Sequence, residues 1–190
     1  MTNIKQHAVD VTLDPDTAQP YLNLSADGKQ VKHGDTRQNL PDTPKRFNQS
    51  ENVLGKEGFS SGKFYYEVQV KGKTAWVIGV VKESVDRKGH IYLNPRYGLW
   101  TIWLRDGTYT ANANPALNLS LKGKLQRVGV FVDYDAGLVS FYDADCWKHV
   151  YSFSKAPFTE KIYPFFSAGG NEEGNSAPLI ISPVQVCPIK

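Results

Sequence analysis

Two cysteines in 190 residues, Cys146 and Cys187, are too few for a zinc site or a disulfide framework. A reducing compartment is the expected setting. The four histidines (His7, His33, His90 and His149) show no i,i+4 or HxH pairing, so a metal centre has no ligand pattern to rest on. No apolar run approaches the length a bilayer requires, and the opening MTNIKQHAVDVTLD has no signal-peptide core. A cytoplasmic location without membrane contact is therefore expected. The net charge is only +3, too small by itself to argue for nucleic acid or membrane. Sustained helical periodicity is also missing; only short turns near Thr12 to Ala18 and Asp86 to Gly89 look helical.

What is abundant is aromatic and strand-like. Phe, Trp and Tyr make up 12% of the chain, mostly in short runs that favour strands. Segments such as Lys63 to Lys71, Ala75 to Lys82, Gly98 to Leu104, Thr108 to Ala111 and Arg127 to Tyr134 recur along the chain. Turns such as Lys71-Gly72-Lys73 and Arg105-Asp106-Gly107 separate them. Many short strands with regular turns predict an all-β fold, a sandwich or a barrel.

The run Gly129 to Asp143 (GVFVDYDAGLVSFYD) holds three carboxylates, Asp133, Asp135 and Asp143. A calcium loop would need a further ligand and a distal Glu, and neither is present. The run reads instead as a hairpin. Asp135 supplies a side-chain acceptor and Gly137 the positive φ of a tight reversal. Val128, Val130, Val132 and Tyr134 share one face, which Leu138, Ser140 and Tyr142 continue.

Other catalytic patterns fail on context. Gly58-Phe59-Ser60-Ser61-Gly62 matches the nucleophile elbow in letters, but a strand follows it where the elbow needs a helix. Gly169-Gly170-Asn171-Glu172-Glu173-Gly174 puts two acids where a phosphate would need donors. No catalytic constellation and no cofactor site remain, so a non-enzymatic role is expected.

One stretch stands out: Gly98-Leu99-Trp100-Thr101-Ile102-Trp103-Leu104-Arg105. Side chains alternate along a strand. If Trp100, Ile102 and Leu104 face the core, then Thr101, Trp103 and Arg105 face outward. An outward Trp beside an Arg is enriched at interaction hot spots. The alternative is that Trp103 lies under a neighbouring loop as a structural residue.

In their order along the chain, several motifs resemble the PRY–SPRY domain of tripartite-motif (TRIM) proteins and butyrophilins. The PRY-like part runs through Val11 to Ala18, Tyr21 to Ser25 and Pro44 to Phe47. The SPRY-like part runs through Phe59 to Val70, Trp76 to Val80, Gly98 to Trp100, Val128 to Tyr134 and Tyr163 to Phe166. The wording around Asp14 to Ala18 and Gly55 to Gly62 looks most like fish TRIM proteins of the bloodthirsty type. The resemblance implies a bent two-sheet antiparallel β-sandwich with a short N-terminal helical PRY segment. It would be divided as PRY over residues 1–52 and SPRY over 53–190, together one compact domain. It implies recognition of a protein partner by loops around a shallow surface, at Glu83, Trp103, Arg105, Tyr109, Gly170, Asn171 and Glu172. It also implies a parent ubiquitin ligase that dimerises through a coiled coil and acts in innate immunity or cell regulation, with this chain as the excised targeting module. A second reading is RNA binding, with Lys122, Lys124, Arg127, Lys148 and Lys155 on phosphates and Trp103 or Tyr109 stacking a base.

Overall fold

The computed structural model describes residues 2–170 and 172–185. A four-residue helix α1 (Thr2–Lys5) precedes thirteen strands: β1 (Leu22–Leu24), β2 (Gln30–His33), β3 (Asn52–Leu54), β4 (Lys63–Gln69), β5 (Trp76–Lys82), β6 (Leu99–Arg105), β7 (Thr108–Ala111), β8 (Leu117–Leu119), β9 (Arg127–Asp133), β10 (Leu138–Asp143), β11 (Lys148–Phe153), β12 (Ile162–Ser167) and β13 (Leu179–Ser182). Two sheets result, of order β1-β2-β13-β4-β9-β10-β11 and β3-β12-β5-β6-β7-β8, antiparallel throughout. The expected two-sheet sandwich is what forms.

The main core lies between the sheets. Phe64, Tyr66 and Val68 of β4 and Val128, Val130 and Val132 of β9 meet Trp76, Ile78 and Val80 of β5 and Trp100 and Ile102 of β6. The Tyr66 hydroxyl, fully buried, donates to the Gly79 carbonyl 2.6 Å away, which satisfies a polar group that would otherwise be costly in the interior. A side chain at Gly79 would begin 2.1 Å from the Trp100 carbonyl oxygen, so β6 can lie beside β5 only because that residue has none.

A second cluster sits on the outer face of the six-stranded sheet: Phe47, Leu54, Val81, Val85, Ile91, Leu99 and Phe165. The N-terminal segment helps cover this region. Thr17 Oγ1 accepts from Leu54 N–H at 3.0 Å, and the buried Arg46 guanidinium donates to the Pro41, Pro15 and Ala18 carbonyls. The Pro44 to Phe47 motif is thus a plug held by an arginine bonded to three backbone carbonyls.

Three expectations change. The stretch Thr12 to Ala18 is not helical: Asp14 to Thr17 forms a single turn closed by Thr17 N–H on the Asp14 carbonyl. The helix is the four residues at Thr2–Lys5, and Asp86 to Gly89 is a bend. In the acidic hairpin, Asp133 pairs with Leu138 and Val132 with Val139. The face of Val128, Val130 and Val132 therefore continues through Val139 and Phe141, and Leu138, Ser140 and Tyr142 lie on the other. The carboxylates close turns: Asp133 accepts from Ala136 N–H, Asp143 from Asp145 N–H, and Asp135 from Gly62 N–H across the loops. Gly137 adopts φ 66°, as the tight reversal requires.

Val11, Leu13, Ala18 and Leu22 are all buried, and burying side chains of the size of Val and Leu stabilises a fold by roughly 1.5–3 kcal/mol each. Total stability of a domain is only about 5–15 kcal/mol. Deleting Val9 to Leu24 should therefore lower the melting temperature of the whole sandwich or abolish its cooperative transition. An unchanged transition in the truncated protein would show this segment to be a dispensable tail.

Candidate functional site

The period of two along β6 sets the site. Trp100, Ile102 and Leu104 are 4%, 0% and 9% exposed and face the main core. On the opposite face burial decreases along the strand: Leu99 and Thr101 are buried, Trp103 is half-buried and Arg105 is exposed. Thr101, expected at the surface, is covered, and its hydroxyl accepts from Asn112 Nδ2 at 3.0 Å. Trp103 and Arg105 emerge where the second cluster ends.

At that point lies a cleft of about 760 Å³. Its floor includes Trp76, Val77 and Trp103. One wall is formed by Gly169, Gly170 and Glu172, and the other by the loop between β5 and β6, with His90, Tyr92, Arg96 and Tyr97. The Arg105 guanidinium stacks 5.4 Å from the Trp103 ring, a cation–π contact that keeps both groups presented together. Tyr92 and Tyr97 are 63% and 47% exposed, the largest exposed aromatics among the described residues. Their rings lie 5.7 Å apart, and His90 packs edge-on against Tyr92 at 4.7 Å. Two residues lining the cleft, Asn52 and Trp76, each keep a buried N–H donor without an acceptor among the described residues.

The residues expected at the site separate into three groups. Trp103, Arg105, Gly170 and Glu172 line one cleft. Tyr109 does not: it is 8% exposed, packs against Trp76 at 6.1 Å and accepts a hydrogen bond from Leu125 N–H. It is a core residue. Glu83 lies just past the far end of β5, six residues beyond the Val77 that pairs with Trp103, or about 20 Å along a strand. There it accepts from the Tyr163 hydroxyl at 2.8 Å, and burial together with that carboxylate pushes the tyrosine up to about 12. Asn171 lies outside the described residues. The aromatic wall of His90, Tyr92 and Tyr97 was not anticipated, because an irregular loop carries no periodic signal. Among the described residues, no group of three or more His, Cys, Asp or Glu could hold a metal ion.

A family model described as SPRY domain matches residues 63–178, and one described as SPRY-associated domain, PRY, matches residues 11–59. The chain belongs to the SPRY domain family. Human butyrophilin subfamily 2 member A2 is 44% identical over 96% of this chain and 33% of its own length. The mouse E3 ubiquitin-protein ligase TRIM21 is likewise 44% identical, over 96% of this chain and 38% of its own. The chain thus spans about a third of the length of these curated relatives. The crystal structure of the TRIM65 PSpry domain superposes with a TM-score of 0.80 at 22% identity, covering 96% of this chain and 94% of that one. The PRY and SPRY matches together are those of a TRIM-type PRY–SPRY domain, generally a protein-interaction module. They are joined physically here. β3 falls in the PRY match yet pairs with β12 of the SPRY match, and no helix among the described residues is long and apolar enough to cross a membrane.

The two tryptophans of β6 should respond differently to truncation. Trp100→Ala removes a core side chain and should cost about 3–5 kcal/mol. Trp103→Ala leaves the core intact and should cost under about 1 kcal/mol. Urea denaturation of both variants reads this directly. A destabilised Trp103→Ala beside a tolerated Trp100→Ala would invert the assignment of faces.

Proposed function

We propose that this PRY–SPRY domain holds a protein partner in the cleft centred on Trp103, with Arg105, Gly170 and Glu172 around it; Asn171, adjacent in sequence, belongs to the proposed site by position alone. The observation that carries this reading is the Trp103–Arg105 pair, presented in a cleft with one aromatic wall. Tryptophan and arginine are the residues most enriched at interaction hot spots. The cleft also fits an extended protein segment chemically. Apolar side chains can pack on Trp103, Tyr92 and Tyr97, and the Arg105 guanidinium is a donor for backbone carbonyls. Glu83, beyond the far end of β5, would belong only to a larger footprint.

In the longer parent protein, the domain would select targets for a TRIM-type ubiquitin ligase working in the cytoplasm, in innate immunity or cell regulation. TRIM21, 44% identical, is named as an E3 ubiquitin-protein ligase. Such a parent would dimerise through a coiled coil outside this chain. RNA binding has less support. Tyr109 is buried, and Arg127 is engaged by Asp145 at 2.8 Å and Glu67 at 3.6 Å, so neither is free for a base or a phosphate.

The test is quantitative capture of proteins from source cells by wild type and Trp103→Ala, followed by affinity measurement for the protein recovered. Loss of a hot-spot aromatic removes about 2 kcal/mol or more, at least about thirtyfold in affinity. Binding that keeps full strength in Trp103→Ala would move the site elsewhere. Affinity that instead falls steeply with salt and tracks co-purified RNA would favour the second reading.

A further inference from the structure

Lys73 and Asn175 are buried polar residues, 7% and 2% exposed, and neither contributes a side chain to the cleft. Both act on the same loop. Asn175 Oδ1 accepts from the Thr74 and Ala75 amides at 2.8 and 3.0 Å, and its Nδ2 donates to the Ala168 and Gly170 carbonyls at 3.1 and 2.9 Å. Every hydrogen-bonding position of this side chain that a loop could use is thereby filled. Lys73 Nζ reaches across from the turn between β4 and β5 and donates to the Asn175 and Ala177 carbonyls at 3.2 and 2.7 Å. Gly169 sits in the same knot at φ 72°, where a Cβ would come within 2.7 Å of the Ala75 carbonyl oxygen and 2.8 Å of Asn175 Nδ2. The knot binds the loop that carries Gly170 and Glu172 to Thr74 and Ala75, at the start of the strand that supplies Val77 to the floor.

We propose that Lys73 and Asn175 are the positioning residues of the cleft, holding the wall formed by Gly169, Gly170 and Glu172 in place before any partner arrives. Burying a lysine and an asparagine is costly unless they are hydrogen-bonded; here Asn175 ties Gly170 to the β4–β5 turn, and Lys73 holds Asn175 and Ala177 through their carbonyls. The clamp does not depend on the charge of Lys73. An ammonium offers three donors and a neutral amine two, enough in either form for two carbonyls. A preformed wall raises affinity by sparing the cost of ordering a loop on binding. That consequence rests on the cleft being the recognition site; the clamp itself does not.

The experiment is residue-resolved amide hydrogen exchange on wild type, Lys73→Met and Asn175→Ala, with melting followed in parallel. The informative reporters are the Thr74 and Ala75 amides in Lys73→Met, because they bond to Asn175 and not to the lysine. They should exchange at least tenfold faster there, while β4 and β9 amides keep their protection. If Lys73→Met leaves them unchanged in a folded protein, the lysine is not part of a clamp and the proposal fails. Should Lys73→Met not fold, Lys73→Arg, which keeps the donors, must retain wild-type exchange at Thr74 and Ala75; fast exchange there would equally overturn it. The cleft is then probed with a seven-residue peptide selected by display on the wild-type domain and requiring Trp103. Lys73→Met should weaken this peptide about tenfold, and unchanged binding despite a loosened wall would refute the positioning role. If no selected peptide requires Trp103, the reading of the cleft fails, while the exchange result still decides the clamp.

Discussion

A side-chain period of two along β6 is the constraint on which the site depends. Trp100, Ile102 and Leu104 are committed to the core between the sheets, and a strand cannot bury them without turning Leu99, Thr101, Trp103 and Arg105 to the other side. A one-residue slip would exchange the two sets. That slip would carry Trp103 and Arg105 into the core, where an unpaired guanidinium is costly, whereas in the observed register Gly79 lies beside Thr101 and its missing side chain lets β6 lie against β5. The burial of Trp100, Ile102 and Leu104 thus decides which tryptophan is structural and which is presented.

Presentation also requires that the outer face be covered at one end and open at the other. The second apolar cluster supplies the cover, from Phe47 to Leu99 and Phe165. It depends on the PRY segment, anchored through Thr17 and Arg46. Where that cover stops, the loop between β5 and β6 and the loop after β12 rise as walls. The PRY segment therefore contributes twice, to the stability of the sandwich and to the boundary of the cleft.

The hairpins were the legible part of the sequence, because Asp-Gly and Gly-x turns flank runs of period two. β3, β8 and β12 were not. Two are only three residues long, and β12 contains Pro164, which ordinarily argues against a paired strand. Its carbonyl accepts from Gly55 N–H, so its missing N–H falls on that same side, opposite a residue just beyond the end of β3. Tyr109 could have been placed correctly. A two-residue turn at Asp106-Gly107 pairs Leu104 with Tyr109, which puts the tyrosine on the core face. The same counting across the four-residue turn after Asp133 pairs Val132 with Val139. The side-chain bonds of Lys73 and Asn175 had no local signal, since they join segments about a hundred residues apart in the chain.

Recognition through the cleft is the central claim, and a photo-crosslink from its rim tests it most directly. Benzoylphenylalanine placed at Ala116, an exposed residue of the lining, should form a covalent adduct with the captured protein. The same group at Lys148, exposed on the edge strand β11 of the other sheet, should form none. An adduct from position 148 with nothing from position 116 would contradict the account and place recognition on the opposite edge of the sandwich.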